Sequence, residues 1–311
     1  MHPHLKTLAL ITLSVAVGAC GGAADPQQGA AKEPRVPLDT SALTSSNGMS
    51  TNGMSTNGMS TNGLALSGLN AAYFESSSFS TWFATNPSYS DMVMQYLAKC
   101  ALPSGVTVNY VSLGVTYTWV GELGLAPQWA SGNPAPLIEQ QLVSACFAAH
   151  ANKYGVHMSI SVRGYQEGGA LIPVGATEQS QFDDDEGCYF GNIFDGTGVF
   201  SAYSSASPLV QPSKTSERAC AISGGQPGQC APMVTTGQTC QSICQGSPSA
   251  ITGAFEFTSC VWHGVSYAPI TVRIEDSEIA TCGDGVCAAS ESCYNPWNGT
   301  GCKADCGTCF N

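Results

Sequence analysis

Residues 133–164 read NPAPLIEQQLVSACFAAHANKYGVHMSISVRG, and a helical and then a strand-like hydrophobic period follow each other within them. Asn133-Pro134 is a typical helix start, and the helical period continues to about Asn152. The predicted buried stripe consists of Ile138, Leu142, Ala145, Cys146 and Ala149. Gly155 then ends the helix, and Val156–Val162 alternates as a strand does. We therefore predict a helix packed against a sheet.

Flanking segments show the same two patterns. Ser90–Cys100 carries apolar residues at helical spacing and precedes Pro103, which predicts a second helix. Val106–Trp119 alternates and is rich in Val, Tyr and Thr, which predicts a strand or hairpin. The sequence thus predicts a disulfide-bonded α+β domain at residues 66–277, with a mixed or antiparallel sheet and two or more packed helices.

The first 19 residues have the pattern of an export signal. Lys6 precedes the apolar segment Leu8–Val17, which is shorter than the about 20 residues of a membrane-spanning helix. Val17-Gly18-Ala19-Cys20 follows, and it resembles the lipobox of bacterial lipoproteins. The resemblance implies cleavage before Cys20, a lipid anchor on its sulfur and, because Gly21 comes next, the outer membrane or cell surface. The alternative is an ordinary secretory signal.

Residues 20–65 are predicted to be a disordered tether. They contain four tandem pentads, which are Ser45–Met49, Ser50–Met54, Ser55–Met59 and Ser60–Leu64. Each pentad contains Asn-Gly, a turn signal, but no β-branched alternating strands flank it. We therefore predict a flexible spacer. The alternative is a small β-roll that orders only in the intact protein.

Composition excludes one class of partner. The chain has 22 acidic and 10 basic residues, a net charge of −12. Nucleic acid requires a basic surface, so it is not an expected partner. Only 10% of the residues are charged, which suits a loop-rich protein outside the cell.

The 15 cysteines point to a disulfide framework, because those after Cys20 form two even groups in an exported chain. The domain group is Cys100, Cys146, Cys188, Cys220, Cys230, Cys240, Cys244 and Cys260. A predicted cysteine-rich tail module, residues 278–311, holds Cys282, Cys287, Cys293, Cys302, Cys306 and Cys309. Cys100 and Cys146 lie on buried faces of predicted helices, so we predict that they pair. Zinc is the alternative, but the spacings lack paired CxxC motifs.

Polar residues of the strand at 156–162 are candidates for chemistry. His157, Ser159, Ser161 and Arg163 share one face of it, since alternate side chains point the same way. Such a face suits an anion or sugar cleft. The alternative, which we favour, is a solvated sheet face.

Asp183, Asp184, Asp185 and Glu186 form an acidic run. Carboxylate oxygens are ligands for Ca²⁺, so the run is a candidate calcium site. A solvated acidic loop is the favoured alternative. Glu167 with Glu186 would be one choice of paired glycosidase carboxylates.

Several short motifs stand out together, and they are Glu139-Gln140, Val143–Cys146, Arg163-Gly164, Glu186-Gly187 and Phe190–Phe194. Over Leu123–Phe194 they resemble a group of uncharacterised exported proteins of myxobacterial-type organisms, for which no activity is known. The resemblance implies Arg163, Glu186 and Asn192 as candidate ligand-binding residues. The tail is similar to short cysteine-rich modules that end many secreted bacterial proteins.

Three functions remain open from the sequence. The favoured one is a surface-tethered lipoprotein that binds a ligand or partner, such as an extracellular glycan or protein. The second is an exported hydrolase of a glycan or peptide that uses Glu186 with His157 or Arg163. The third is a structural envelope protein.

Overall fold

Helices and strands follow each other in mixed order along the chain. The computed structural model describes residues 44–47, 49–50, 74–152, 158–205, 233–248, 255–275 and 302–308, all within the unit Asp39–Asn311. The helices there are α1 (Ser77–Thr85), α2 (Pro87–Ala101), α3 (Pro127–Ala130), α4 (Leu137–His150), α5 (Ala176–Gln181), α6 (Cys240–Ile243) and α7 (Lys303–Cys306). The strands are β1 (Thr44–Asn47), β2 (Met49–Ser50), β3 (Thr107–Ser112), β4 (Val115–Val120), β5 (Ala151–Asn152), β6 (Met158–Gly164), β7 (Asp184–Asn192), β8 (Gly198–Tyr203), β9 (Val234–Thr239), β10 (Cys244–Pro248), β11 (Phe255–Trp262), β12 (Val265–Tyr267) and β13 (Ile270–Ile274). The predicted α+β class is confirmed.

A six-stranded sheet forms the centre, with strand order β1-β6-β13-β7-β8-β9. Its neighbours are antiparallel except β8 and β9, which run parallel. Smaller sheets are β10-β11-β12, the hairpin β3-β4 and the parallel pair β2-β5.

Helix α4 is buried on almost every side, because it lies between α2 and the strands β7, β8 and β13. It begins at Leu137 with Pro136 as its N-cap, later than predicted. A residue before proline disfavours helical backbone, so Ala135 cannot easily continue a helix into Pro136. Ile138 consequently falls on an exposed part of the first turn, 37% accessible, and its assignment to the buried stripe was wrong.

The disulfide between Cys100 and Cys146 joins α2 to α4, as predicted. Both sulfurs are buried, and so are Val93 and Leu97, which lie on the same face of α2. The predicted second helix and its buried face are therefore confirmed.

The three-stranded sheet β10-β11-β12, called the small sheet below, covers the opposite face of the central sheet. β11 lies against β6 and β13, and β12 lies against β7. A second apolar cluster fills this layer, with Phe190, Phe200, Phe257 and Tyr267 as its large members. Two disulfides lie within it, Cys188–Cys240 and Cys244–Cys260.

One prediction about the tether was wrong in part. Residues 44–47 and 49–50, placed in the spacer by sequence, are strands, because β1 pairs with β6 and β2 with β5. The later pentads, the signal at 1–19, Cys20, the boundaries at 66 and 278, and most tail cysteines lie outside the described residues. Within the described residues, no helix is long and apolar enough to cross a membrane.

Candidate functional site

Arg163 lies under the small sheet rather than on a solvated face. It is 1% exposed, and Ser161 beside it on β6 is fully buried. The Nε of Arg163 donates to the Ser161 hydroxyl, which in turn donates to Oε1 of Glu178 on α5, both at 2.5 Å. The prediction of a solvated face was wrong here, because β11 covers this part of the sheet.

The charges around Arg163 nearly balance. Burial lowers the pKa of Arg163 below its ordinary value, and the carboxylates of Glu178, Glu256 and Asp185 oppose that shift. Arg273 adds a second positive charge, and its Nε lies 2.9 Å from Oδ1 of Asp185. Within the described chain, the two terminal nitrogens of Arg163 have no hydrogen-bond partner. The charge of Arg163 is therefore compensated by the surrounding carboxylates and by the bond of its Nε to Ser161, rather than by hydrogen bonds of its terminal nitrogens.

The acidic run is the start of a strand. Asp184, Asp185 and Glu186 belong to β7, and Asp185 pairs with Arg273 on β13. Glu186 is fully buried, and the Tyr189 hydroxyl donates to its Oε2 at 3.4 Å. The favoured reading as a solvated loop was therefore wrong, since the neighbouring strand supplies a cation that the local sequence does not show.

This charged layer has little room for a substrate. The cavity beside Asp185, Gly187 and Thr271 has a volume of about 10 Å³. Such a volume holds about one water molecule. Glu186 and Arg163 are at most 1% exposed, so in the described part of the chain neither presents a surface to a glycan or peptide.

Asn192 connects the other end of β7 to helix α4. Its Nδ2 donates to Oε1 of Gln140 on α4 at 3.1 Å, and its Oδ1 accepts from the backbone of Phe194. The Ser144 hydroxyl accepts from the backbone N–H of Ile193 at 3.0 Å. Gln140 and Ser144 therefore fix the turn between β7 and β8 to α4.

Glu139 connects α4 to α3. Its carboxylate accepts backbone N–H groups of Gln128 at 2.8 Å and Trp129 at 3.0 Å, and the residue is fully buried. Burial raises the pKa of Glu139 from its ordinary 4.5; the two N–H bonds oppose this, and the neighbouring Glu167 raises it further. Glu167 is thus beside Glu139, an acid pair that the sequence analysis did not single out.

The predicted site residues do not converge. Glu186 and Asn192 are six positions apart on β7, which places them about 20 Å from each other in an extended strand. His157 lies outside the described residues. Glu178, Glu256 and Arg273 were missed, although Arg273 interrupts the apolar strand β13 and Glu256 lies between two phenylalanines. A charged residue within an otherwise apolar strand is the sequence feature that could have identified Arg273 and Glu256.

Two cysteine groups in the described chain have ligand atoms within 4.8 Å of one another, Cys100 with Cys146 and His150, and Cys188 with Cys244 and Cys260. Their cysteines are joined in disulfides, so they offer no thiolates to a metal. Neither group includes the acidic run. The Ca²⁺ assignment stays a prediction.

The hairpin β3-β4, with the residue that precedes it, presents an exposed apolar surface. Val106, Val111, Leu113, Val115 and Val120 are all exposed, and Leu113 is 91% accessible. An open concave surface of about 540 Å³ lies between the hairpin tip and α1, and it is lined by Ser80, Thr81, Ala84, Thr85, Ser112 and Leu113. These residues include no charged and no aromatic side chain.

Leu113 also has an unusual backbone. Its φ is +50° and that of Gly114 is +81°, as in a type I′ turn, whose first central position favours Asn, Asp or Gly. A leucine there costs about 1–2 kcal/mol. A strained and exposed leucine buries nothing of its own, which is typical of a contact residue.

Comparisons of the chain with protein-family models, with curated proteins and with solved structures each found no match.

Proposed function

We propose that the protein is an extracytoplasmic lipoprotein, anchored through Cys20, whose folded part binds a partner in the cell envelope or outside the cell through the tip of the β3-β4 hairpin. Support for the compartment comes from the disulfides. Cys100–Cys146, Cys188–Cys240 and Cys244–Cys260 are buried or nearly so, and such bonds persist in oxidising compartments.

The single observation that carries the binding half is Leu113. It combines strain with near-complete exposure, at the tip of a hairpin whose inner face is firmly held. Tyr110 and Trp119 on that inner face pack on Phe79 and Phe83 of α1. The Trp119 indole N–H donates to Asp91 Oδ1 of α2 at 2.7 Å. The hairpin is therefore a rigid support for an exposed apolar tip, which favours binding because little order is lost on contact.

Lipid attachment is tested by metabolic labelling. Cells that express the full chain or Cys20→Ser are grown with a labelled fatty acid. We expect label in the parent protein and none in the variant, because the acyl chain requires the cysteine sulfur. Equal labelling of both proteins would contradict the anchor.

The binding half is tested with residues 21–311, secreted behind an ordinary signal peptide and therefore free of lipid. The probe is the surface of cells of the producing strain from which the gene is deleted. We expect retention of this protein and at least about tenfold less retention of Leu113→Asn, while its thermal stability rises, because Asn suits the first position of a type I′ turn.

The matched control is His263→Asn. His263, with φ +50°, precedes Gly264, with φ +80°, in the turn between β11 and β12. This change eases a turn of the same type elsewhere and should leave retention unaltered. Equal retention of the parent and Leu113→Asn would exclude the hairpin tip, and absence of retention of the parent would exclude the binding function.

A further inference from the structure

The first pentad repeat is the edge of the central sheet. Ser45 lies opposite Ile160 and Asn47 opposite Met158 in the antiparallel pair β1-β6. Met49 then lies opposite Ala151 in the parallel pair β2-β5. One repeat unit, together with the residue on either side of it, thus accounts for both strands.

The same residue types return at every fifth position. The strands at the edge, residues 44–47 and 49–50, belong to the stretch 44–50, which reads TSSNGMS. Residues 49–55 and 54–60 both read MSTNGMS, and residues 59–65 read MSTNGLA. The Ser-x-Asn-Gly core is identical in all four, and the central serine of the first copy is threonine in the others.

This periodicity removes the usual penalty for a register shift. A shift by one residue moves every side chain to the wrong face of a sheet, which is why most strands have a single register. A shift by one whole pentad places Ser and Asn at the same register positions again. Threonine favours strands more than serine does, so the later copies are at least as suited to the edge as the first.

We propose that the edge formed by β5 and β6 is a docking site for any of the four pentads of this chain, so that repeats two to four exchange with the first. Each exchange moves the docked segment by five residues, and it lengthens the chain between Cys20 and the sheet by up to about 17 Å. The segment that leads to Phe74 shortens from residues 51–73 to residues 66–73 when the fourth copy is docked. The docking does not depend on the lipid anchor; only the change in reach does.

Hydrogen exchange of the full chain tests the exchange of repeats. The first variant carries both Ser45→Pro and Ser46→Pro. Because alternate N–H groups of an edge strand face its neighbour, these two adjacent prolines remove at least one N–H group that the first copy donates to β6. The four-copy variant carries prolines at the equivalent positions, which are 45, 46, 50, 51, 55, 56, 60 and 61. The measured groups are the β6 amides that face β1. We expect them to keep their protection from hydrogen exchange within about twofold in the first variant and to exchange on the order of tenfold faster in the four-copy variant.

Two further variants control for folding. Alanine at the same eight positions keeps every N–H and should preserve protection, and unchanged protection of α4 shows that the proline variants remain folded. Deletion of Ser45–Met49 leaves the register residues TSTNGMS and should also preserve protection of β6. Loss of protection on changing or deleting the first copy alone would overturn the proposal, as would unchanged protection in the four-copy proline variant.

Discussion

On one face of the six-stranded sheet, Ile160, Ile270 and Val272 are buried in the larger core to which α4 belongs. On the other face, β11 of the small sheet lies against β6 and β13, which carry Ser161, Arg163 and Thr271. These residues alternate along the same two strands, since Thr271 pairs with Arg163 and Val272 with Val162. The helix side is closed by apolar packing, in which each methyl group contributes a little. The small-sheet side combines a modest apolar cluster with two disulfides and a buried charge network.

The difference follows from what each covering layer can bury. Helix α4 contributes Leu142, Val143 and Phe147 to the larger core. Strand β11 contributes Glu256 beside Phe257, and strand β12 is three residues long. A small layer with little apolar area gains its stability from cross-links and paired charges, and such a network fails when one member is removed.

The largest expected effect breaks this charge network. We expect Arg163→Leu to lower the free energy of unfolding in urea by about 3–5 kcal/mol, because it removes a cation that compensates the buried carboxylates of Glu178 and Glu256. The matched change on the helix side, Ile270→Val, should lower it by about 0.5–1.5 kcal/mol. An equal or smaller loss in Arg163→Leu would mean that the network does not hold the small sheet.

Disulfide removal sharpens the comparison between the layers. Replacing Cys100 and Cys146 by alanine opens a bond between residues 46 positions apart, whereas replacing Cys244 and Cys260 opens one that spans 16. In the chain-entropy model, we expect losses of about 4 and about 3 kcal/mol in urea unfolding. Peptide mass spectrometry checks that the other disulfides are intact. A larger loss at Cys244–Cys260 would show that native strain or packing, rather than loop length, sets the order.

The helix side was largely predictable from the sequence. The periodicity of α4 and α2 is local, and two buried cysteine faces leave few choices for pairing, so Cys100–Cys146 could be inferred. The start of α4 and the exposure of Ile138 could not be predicted, because they depend on which of Pro134 and Pro136 begins the helix.

The small-sheet side could not be predicted in the same way. Alternation placed Ser161 and Arg163 on one face, but nothing local shows that β11 covers it. The partners of Arg163 come from α5, β11 and β13, far apart in sequence. The acidic run looked solvated because its cation, Arg273, is 88 residues from Asp185.

A smaller effect is expected where the two layers are connected. Gln141 of α4 accepts the backbone N–H of Ala268, between β12 and β13, at 3.0 Å, and it donates to the carbonyl of Ser266 in β12 at 3.3 Å. Gln141→Met leaves the buried N–H of Ala268 unpaired and removes the donor to the Ser266 carbonyl, and we expect a loss of about 1–3 kcal/mol in urea unfolding. Gln141→Glu keeps the acceptor and should restore protection of the Ala268 amide from hydrogen exchange. Similar exchange of Ala268 in all three proteins would show that the helix does not hold the connection.

The smallest effect concerns acids on the two sides. Asp185 faces an arginine, whereas Glu139 on the helix side accepts two backbone N–H groups and lies beside Glu167 in the described part of the chain. The pKa of Glu139 is raised above its ordinary 4.5, so between these two values the folded protein holds more protons than the unfolded chain. The free energy of unfolding should therefore fall as the pH rises through this window, and the destabilisation should be absent below 4.5.

Glu167→Gln removes the like charge, lowers the pKa of Glu139 towards 4.5 and should flatten this slope in urea titrations, whereas the exposed Glu75→Gln should leave it unchanged. An unaltered slope in Glu167→Gln would show that burial alone, without the second carboxylate, sets the protonation of Glu139.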